Sequence, residues 1–198
     1  MAGDDSLLPT ARPDTRFTFE DFLLFPDDGR RHELIGGEHY VTPSPNLRHQ
    51  DLVGRLHLSI GNYLSAHPHA GRVFLAPFDV VFSFHDVVEP DVLFIAGDQL
   101  DILTAQNVRG APALVAEILS RGTRKRDEQI KRRLFERSAV REYWIVDPEL
   151  DLIKLYRRSE DGALPRVAEL TAEHQDQLAT PLLPGWSLSL PEFFAPSL

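Results

Sequence analysis

The stretch ALVAEILSRGTRKRDEQIKRRLFERS, residues 113–138, reads as a strand followed by a helix, and the fold follows from that reading. Ala113 to Leu119 is a short apolar run without helical period, rich enough in branched residues and close enough to turn residues to be a strand. It is apolar on both faces, as a central strand is. Alternation sends Val115, Glu117 and Leu119 to one face and Leu114, Ala116 and Ile118 to the other, so Glu117 stands among apolar neighbours. An unpaired carboxylate there costs several kcal/mol, which a metal, a cation or hydrogen bonds must offset. From Arg124 to about Ser138 the period becomes helical. At about 100° per residue, Ile130, Leu134 and Phe135 form an apolar stripe that also contains Asp127 and Lys131. Lys131 therefore points at the sheet and needs an anion, and the strand acids are the obvious partners.

Upstream, two further apolar runs, Val73 to Phe84 and Val87 to Ile95, read as strands. Asp91 enters the second directly after Pro90, so two acids at neighbouring strand ends could chelate one cation. Before them, Val53, Leu56, Ile60, Tyr63 and Leu64 recur at helical spacing and predict a long amphipathic helix from Asn46 to about Ala66. Earlier still, His32–Ile35 and Glu38–Val41 flank Gly36-Gly37, a hairpin signature. Thr18 and Asp21 suggest a capped short helix that ends before Pro26. Downstream, Glu142–Val146 and Leu152–Tyr156 read as strands around Asp147-Pro148, and beyond Arg158 a strand and a terminal turn are expected. The core order is helix, three strands, helix, two strands. Residues 1–16 lack an apolar period and read as a loose arm, with 17–198 one domain and its core at about 46–158.

The chain of 198 residues carries a formal net charge of −9, which argues against a nonspecific nucleic-acid coat. A local basic patch exists nevertheless: Arg121, Arg124, Lys125, Arg126, Lys131, Arg132 and Arg133 stand against Asp127 and Glu128. With no cysteine, thiolate metal sites and disulfides are excluded, so a metal would use carboxylates, histidines or carbonyls. No apolar stretch approaches the roughly 20 residues that span a bilayer, and no signal-peptide pattern is present, so the expectation is a cytoplasmic protein without membrane contact.

Pro90-Asp91, Glu117-Ile118-Leu119-Ser120, Asp127 and Lys131 with Phe135, and Glu142-Tyr143-Trp144-Ile145-Val146-Asp147-Pro148 together resemble the successive motifs of the Uma2, or putative restriction endonuclease, family. His32-Glu33-Leu34-Ile35-Gly36-Gly37-Glu38 and Pro45 to Gln50 extend the resemblance over roughly residues 17–158. It implies a PD-(D/E)xK nuclease: an α/β (α+β) fold with a restriction-endonuclease-like αβββαβ core, to which the N-terminal helix and hairpin are added. The implied activity is hydrolysis of DNA phosphodiester bonds with Mg²⁺ or Mn²⁺. Asp91, Glu117 and Lys131 are then the catalytic residues, and Asp91, Glu117 and the main-chain carbonyl of Ile118 are the metal ligands. The superfamily's acid-x-lysine is broken here, since Leu119 stands where that lysine would be, and Lys131 supplies the ammonium from the helix.

His49, on the inward stripe of the long helix, could approach a metal or phosphate or be a satisfied core histidine. Glu33 and Glu38 could shape the site or be plain hairpin residues, and Asp127 shares the Lys131 stripe. Asp79, between Phe78 and Val80, could lie near the acids or at an exposed strand end. Arg121, Arg124, Lys125 and Arg126 could contact DNA phosphates or begin a solvated helix. The expected partners are DNA and a second copy of the chain in a homodimer. The alternative is a catalytically idle nuclease-fold domain that binds DNA or a protein, favoured by the absent strand lysine. A serine hydrolase is disfavoured, because no G-x-S-x-G elbow occurs.

Overall fold

The computed structural model describes residues 16–42, 44–120 and 122–196. The arm expected over residues 1–16 falls outside them except for Arg16, as does Arg121. The chain opens with α1 (Phe19–Phe22), where the Thr18 hydroxyl accepts from the Asp21 amide and the Asp21 carboxylate accepts from the Thr18 amide. The hairpin follows as β1 (Arg31–Ile35) and β2 (Glu38–Thr42), paired antiparallel. Gly36 and Gly37 have φ of 62° and 80°, left-handed values that glycine adopts without a Cβ clash and that match the twist of a two-residue turn.

Helix α2 (Leu47–Ala66) is capped by Asn46, whose side chain accepts from the His49 amide at 2.9 Å. Leu52, Val53, Leu56, Ile60 and Leu64 are buried on one stripe, each worth about 1.5–3 kcal/mol of removal from water. Then come β3 (Gly71–Leu75), β4 (Val80–Ser83), β5 (Asp86–Val88), β6 (Val92–Ala96), β7 (Val108–Arg109) and β8 (Leu114–Ile118). A π-helical turn at Arg126–Lys131 leads into α3 (Arg132–Arg137), and the chain continues through β9 (Glu142–Asp147) and β10 (Leu152–Arg157). The C-terminal part holds β11 (Arg166–Thr171), β12 (Gln177–Ala179), β13 (Ser187–Ser189) and α4 (Leu190–Phe194), more structure than the one strand and turn expected there.

The six-stranded sheet has the order β11-β10-β9-β8-β6-β3. Strands β3 and β8 each pair antiparallel with β6, which lies between them, and β9 lies parallel to β8, so α2, β3, β6, β8, α3 and β9 form the expected αβββαβ core. The two upstream apolar runs depart from expectation. Each is two strands in different sheets, because β4 and β5 leave to join the hairpin in a five-stranded sheet of order β2-β1-β5-β4-β7. The crossings occur at Pro77 and Pro90, where a missing amide proton ends ladder pairing. One face of the large sheet, including Ala116, Ile118 and Trp144, packs on α2 and the C-terminal segment. The other, with Val115, Leu119, Tyr143 and Ile145, packs on the second sheet and on Leu134 and Phe135 of α3. Among the described residues no helix is long and apolar enough to cross a membrane.

Candidate active site

The antiparallel register that sets Val92 opposite Ala116 brings Asp91 beside Glu117 at the edge of the β6–β8 pair. The Asp91 amide donates to Glu117 Oε2 at 3.4 Å and the Ile118 amide to Asp91 Oδ2 at 2.9 Å. From the turn of π-helix, Lys131 Nζ reaches Glu117 Oε1 and Glu33 Oε1, each at 2.7 Å, and Asp127 Oδ1 at 3.8 Å. From α2, His49 Nε2 lies 3.0 Å from Asp91 Oδ2, and from β1, Arg31 Nη1 donates to Asp91 Oδ1 at 2.7 Å. Arg126 closes another side, 3.6 Å from Glu33 Oε2, donating to Thr42 Oγ1 at 2.7 Å and lying over the Tyr40 ring. Arg31, His49, Asp91, Glu117, Arg126, Asp127 and Lys131 border a cavity of about 160 Å³ that Ile118 also lines.

Asp91 is 4% exposed and Glu117 and Lys131 3% each, so their charges meet little water and each depends on its neighbours. Burial pushes the Glu117 carboxyl up to about 8; Lys131 opposes the shift, while Asp91, Asp127 and Glu33 add to it. Burial acts the same way on Asp91 but is outweighed by His49 and Arg31, which hold it well below the usual carboxylate range. Adjacent acids are thus driven apart, one held as an anion and the other inclined to keep a proton. Lys131 is driven up despite burial, because Glu117, Glu33 and Asp127 surround its ammonium. Burial also raises Asp127.

The structure brings together Asp91, Glu117, Lys131, Ile118, His49, Glu33 and Asp127 from the sequence reading. It does not bring Glu38, which is exposed and accepts from the Tyr40 hydroxyl at 2.6 Å. Arg124 donates to both oxygens of Asp147 and lies 3.3 Å from Glu149, Lys125 is exposed, and Arg126 faces the cavity. Asp79 lines a different cavity. Arg31 was missed by sequence reasoning. Its signal was parity, since it alternates with Glu33 on one strand and shares that face.

The donor set is suited to a hard divalent ion. It consists of carboxylate oxygens and a main-chain carbonyl, with four acids (Glu33, Asp91, Glu117, Asp127) facing three permanent cations (Arg31, Arg126, Lys131). Glu33 Oε2 and Asp127 Oδ1 are buried without a hydrogen-bond partner among the described residues. Among the described residues, no group of three or more His, Cys, Asp or Glu is arranged to hold a metal. An ion would therefore rely on two side chains, a carbonyl and water, which is how Mg²⁺ usually binds.

A βββ meander closed by a parallel fourth strand, with acids meeting at its centre and a lysine beside them, defines the class by its fold, which is restriction-endonuclease-like. The chain belongs to the Uma2 family, whose model, described as "Putative restriction endonuclease", matches residues 19–191. The fold is similar to the crystal structure of a putative nuclease belonging to DUF820 from Anabaena variabilis, with a TM-score of 0.75 and 18% identity over 90% of this chain and 97% of that one. No curated protein matches the chain.

Proposed function

We propose that this chain is a metal-dependent endonuclease that hydrolyses DNA phosphodiester bonds, with Asp91, Glu117 and Lys131 as catalytic residues and Mg²⁺ or Mn²⁺ held by Asp91, Glu117 and the Ile118 carbonyl. The observation that carries this reading is Lys131 Nζ at 2.7 Å from Glu117 Oε1, with Asp91 alongside: the helix delivers the ammonium that strand position 119 lacks. When bound, the ion supplies positive charge against the scissile phosphate and makes a water acidic enough to attack it.

The chain's own residues supply the rest. Lys131 keeps its proton at any physiological pH, given its acidic surroundings, so it orients the water and stabilises developing negative charge and is not a general base. Glu33 positions Lys131, accepting from Nζ together with Glu117. Arg31 and His49 position Asp91 and keep it ionised for chelation. Lys125, exposed beside the cavity's helix, is a cation free to meet backbone phosphates. A homodimer would present two such centres to a duplex, and light scattering over micromolar concentrations that finds only a 22.4 kDa species would remove that part of the reading.

An idle, DNA- or protein-binding domain is the second reading. It is favoured by Asp91, whose two oxygens already accept from Arg31 and the Ile118 amide while His49 adjoins Oδ2. Calorimetric Mn²⁺ titration alongside cleavage of supercoiled and single-stranded DNA separates the two. Wild type that binds Mn²⁺ and cuts, with Glu117→Gln doing neither, supports the nuclease; wild type that binds no divalent ion leaves the idle domain.

A further inference from the structure

A second cavity, of about 400 Å³, opens beside α1 and the start of β1, and Lys131 is not among its lining residues. Phe22, Phe25 and Phe78 form its apolar walls, and Asp79 and Glu89 bring two carboxyl groups into the lining. Glu89 is 9% exposed, and its Oε2 is buried with no hydrogen-bond partner among the described residues. Its main chain is committed elsewhere: the amide donates to Glu33 at 3.1 Å and the carbonyl accepts from Arg31 at 3.4 Å. The Asp79 carboxylate has no ion pair or side-chain hydrogen bond among the described residues either. The lining's own cations sit on Asp28 instead, Arg30 at 3.9 Å and His32 at 3.0 Å; the charges of Arg31 and Lys131, outside the lining, favour the Glu89 anion only in part, and burial still pushes its carboxyl up to about 7.

We infer that this cavity is a binding site for a small organic cation, an ammonium or guanidinium carried on a short aliphatic arm. A desolvated carboxylate without a partner is costly, and a ligand cation placed between Asp79 and Glu89 removes that cost for both. The phenyl walls add attraction for a cation and cover an aliphatic arm, which a metal aqua ion would not use. No trio of His, Cys, Asp or Glu among the described residues is arranged to hold a metal, and two acids between aromatic rings suit a softer, larger cation. The charges of Glu33, Arg31 and Lys131 act on the Glu89 carboxyl, but the site's test reads cation binding and not cleavage, so it stands or falls apart from the nuclease reading.

The test is calorimetric titration of the full chain with agmatine, which carries both head groups. Saturable binding is expected, weakened at least about tenfold in Glu89→Gln and several-fold in Asp79→Asn, with circular dichroism confirming that both variants fold. Phe78→Leu, which keeps an apolar wall without the ring, should weaken binding about threefold. Putrescine and an N-acetyl-arginine amide tell a free polyamine from a partner's arginine; binding of either supports the site. The inference is overturned if wild type shows no saturable heat, or if the acid variants bind as wild type does. It is also overturned if Mg²⁺ alone displaces agmatine mole for mole, or if neutral deoxyguanosine binds more tightly, since the cavity is then a metal or a base pocket.

Discussion

Lys131 Nζ stands 2.7 Å from Glu117 Oε1, an ion pair formed inside the protein between a helix and the central strand that precedes it. The same ammonium is 2.7 Å from Glu33 Oε1, so a single cation holds together the hairpin, the sheet and the helix. Replacing it exposes both its structural and its chemical part.

Lys131→Met leaves Glu33, Glu117 and Asp127 buried without their shared ammonium. Unfolding in urea at pH 8 should show a loss of about 3–5 kcal/mol in the metal-free protein, the usual result of stranding a buried charge. Cleavage should fall by about 10²–10³, the scale of one lost electrostatic donor, while Mn²⁺ is still bound. A variant that cuts at the wild-type rate would remove Lys131 from the chemistry.

Glu117→Gln should behave in the opposite way towards stability. The Glu117 carboxyl titrates near 8 in the fold against an ordinary 4.5, so its protonated form is favoured by folding. Wild-type stability, measured without metal, should therefore decline as pH rises from about 4.5 to about 8. The glutamine variant should lack this part of the slope and be more stable than wild type at pH 8.5 by on the order of 2 kcal/mol. Parallel pH profiles for the two proteins would contradict the assignment.

Asp91→Asn is expected to destabilise at neutral pH, although on the proposed mechanism it should abolish metal binding just as Glu117→Gln should. Asp91 is held below its ordinary pKa by His49 and Arg31 against the cost of burial, so its stabilising contribution is present above about pH 4 and is lost as pH falls through the depressed value. A thermal scan at pH 7 should show a lower Tm for this variant, equivalent to about 3 kcal/mol. Two metal-dead variants with opposite stability changes would distinguish an acid held by the fold from one held for an ion.

Arg124 and Lys125 are neighbours with different expected phenotypes. Arg124→Ser leaves Asp147, whose side chain is fully buried, with the Glu149 and Leu150 amides but no counter-charge from Arg124, and should lower Tm with little change in DNA affinity. Lys125→Ser should leave Tm alone and reduce the salt slope of DNA binding by about 1, the signature of one lost phosphate contact. Filter binding at several salt concentrations, paired with thermal melts, reads both.

Much of this was legible in local periodicity. The hairpin, α2, the central strand and the inward Lys131 each follow from spacing that burial alone dictates, and Asp91 and Glu117 meet because their strands pair as their apolar content suggests. What stayed hidden is tertiary. The runs through Val73–Phe84 and Val87–Ile95 look continuous because strands buried in either sheet have the same composition, and only Pro77 and Pro90 mark the crossings. Arg31 and Glu89 owe their importance to β1 lying beside those crossings, which no single segment encodes. Glu38 and Arg124, plausible by charge, were drawn to Tyr40 and Asp147 by proximity that spacing does not reveal.

The turn of π-helix that presents Lys131 ties the completion of the centre to the docking of a helix. Were the ammonium on the strand, the sheet alone could assemble acids and lysine; with it on Arg126–Lys131, a chain whose helix has not yet docked carries the acids with no ammonium beside them. On the proposed mechanism, newly made or partly melted copies would thus cut DNA about 10²–10³ times more slowly than the finished fold.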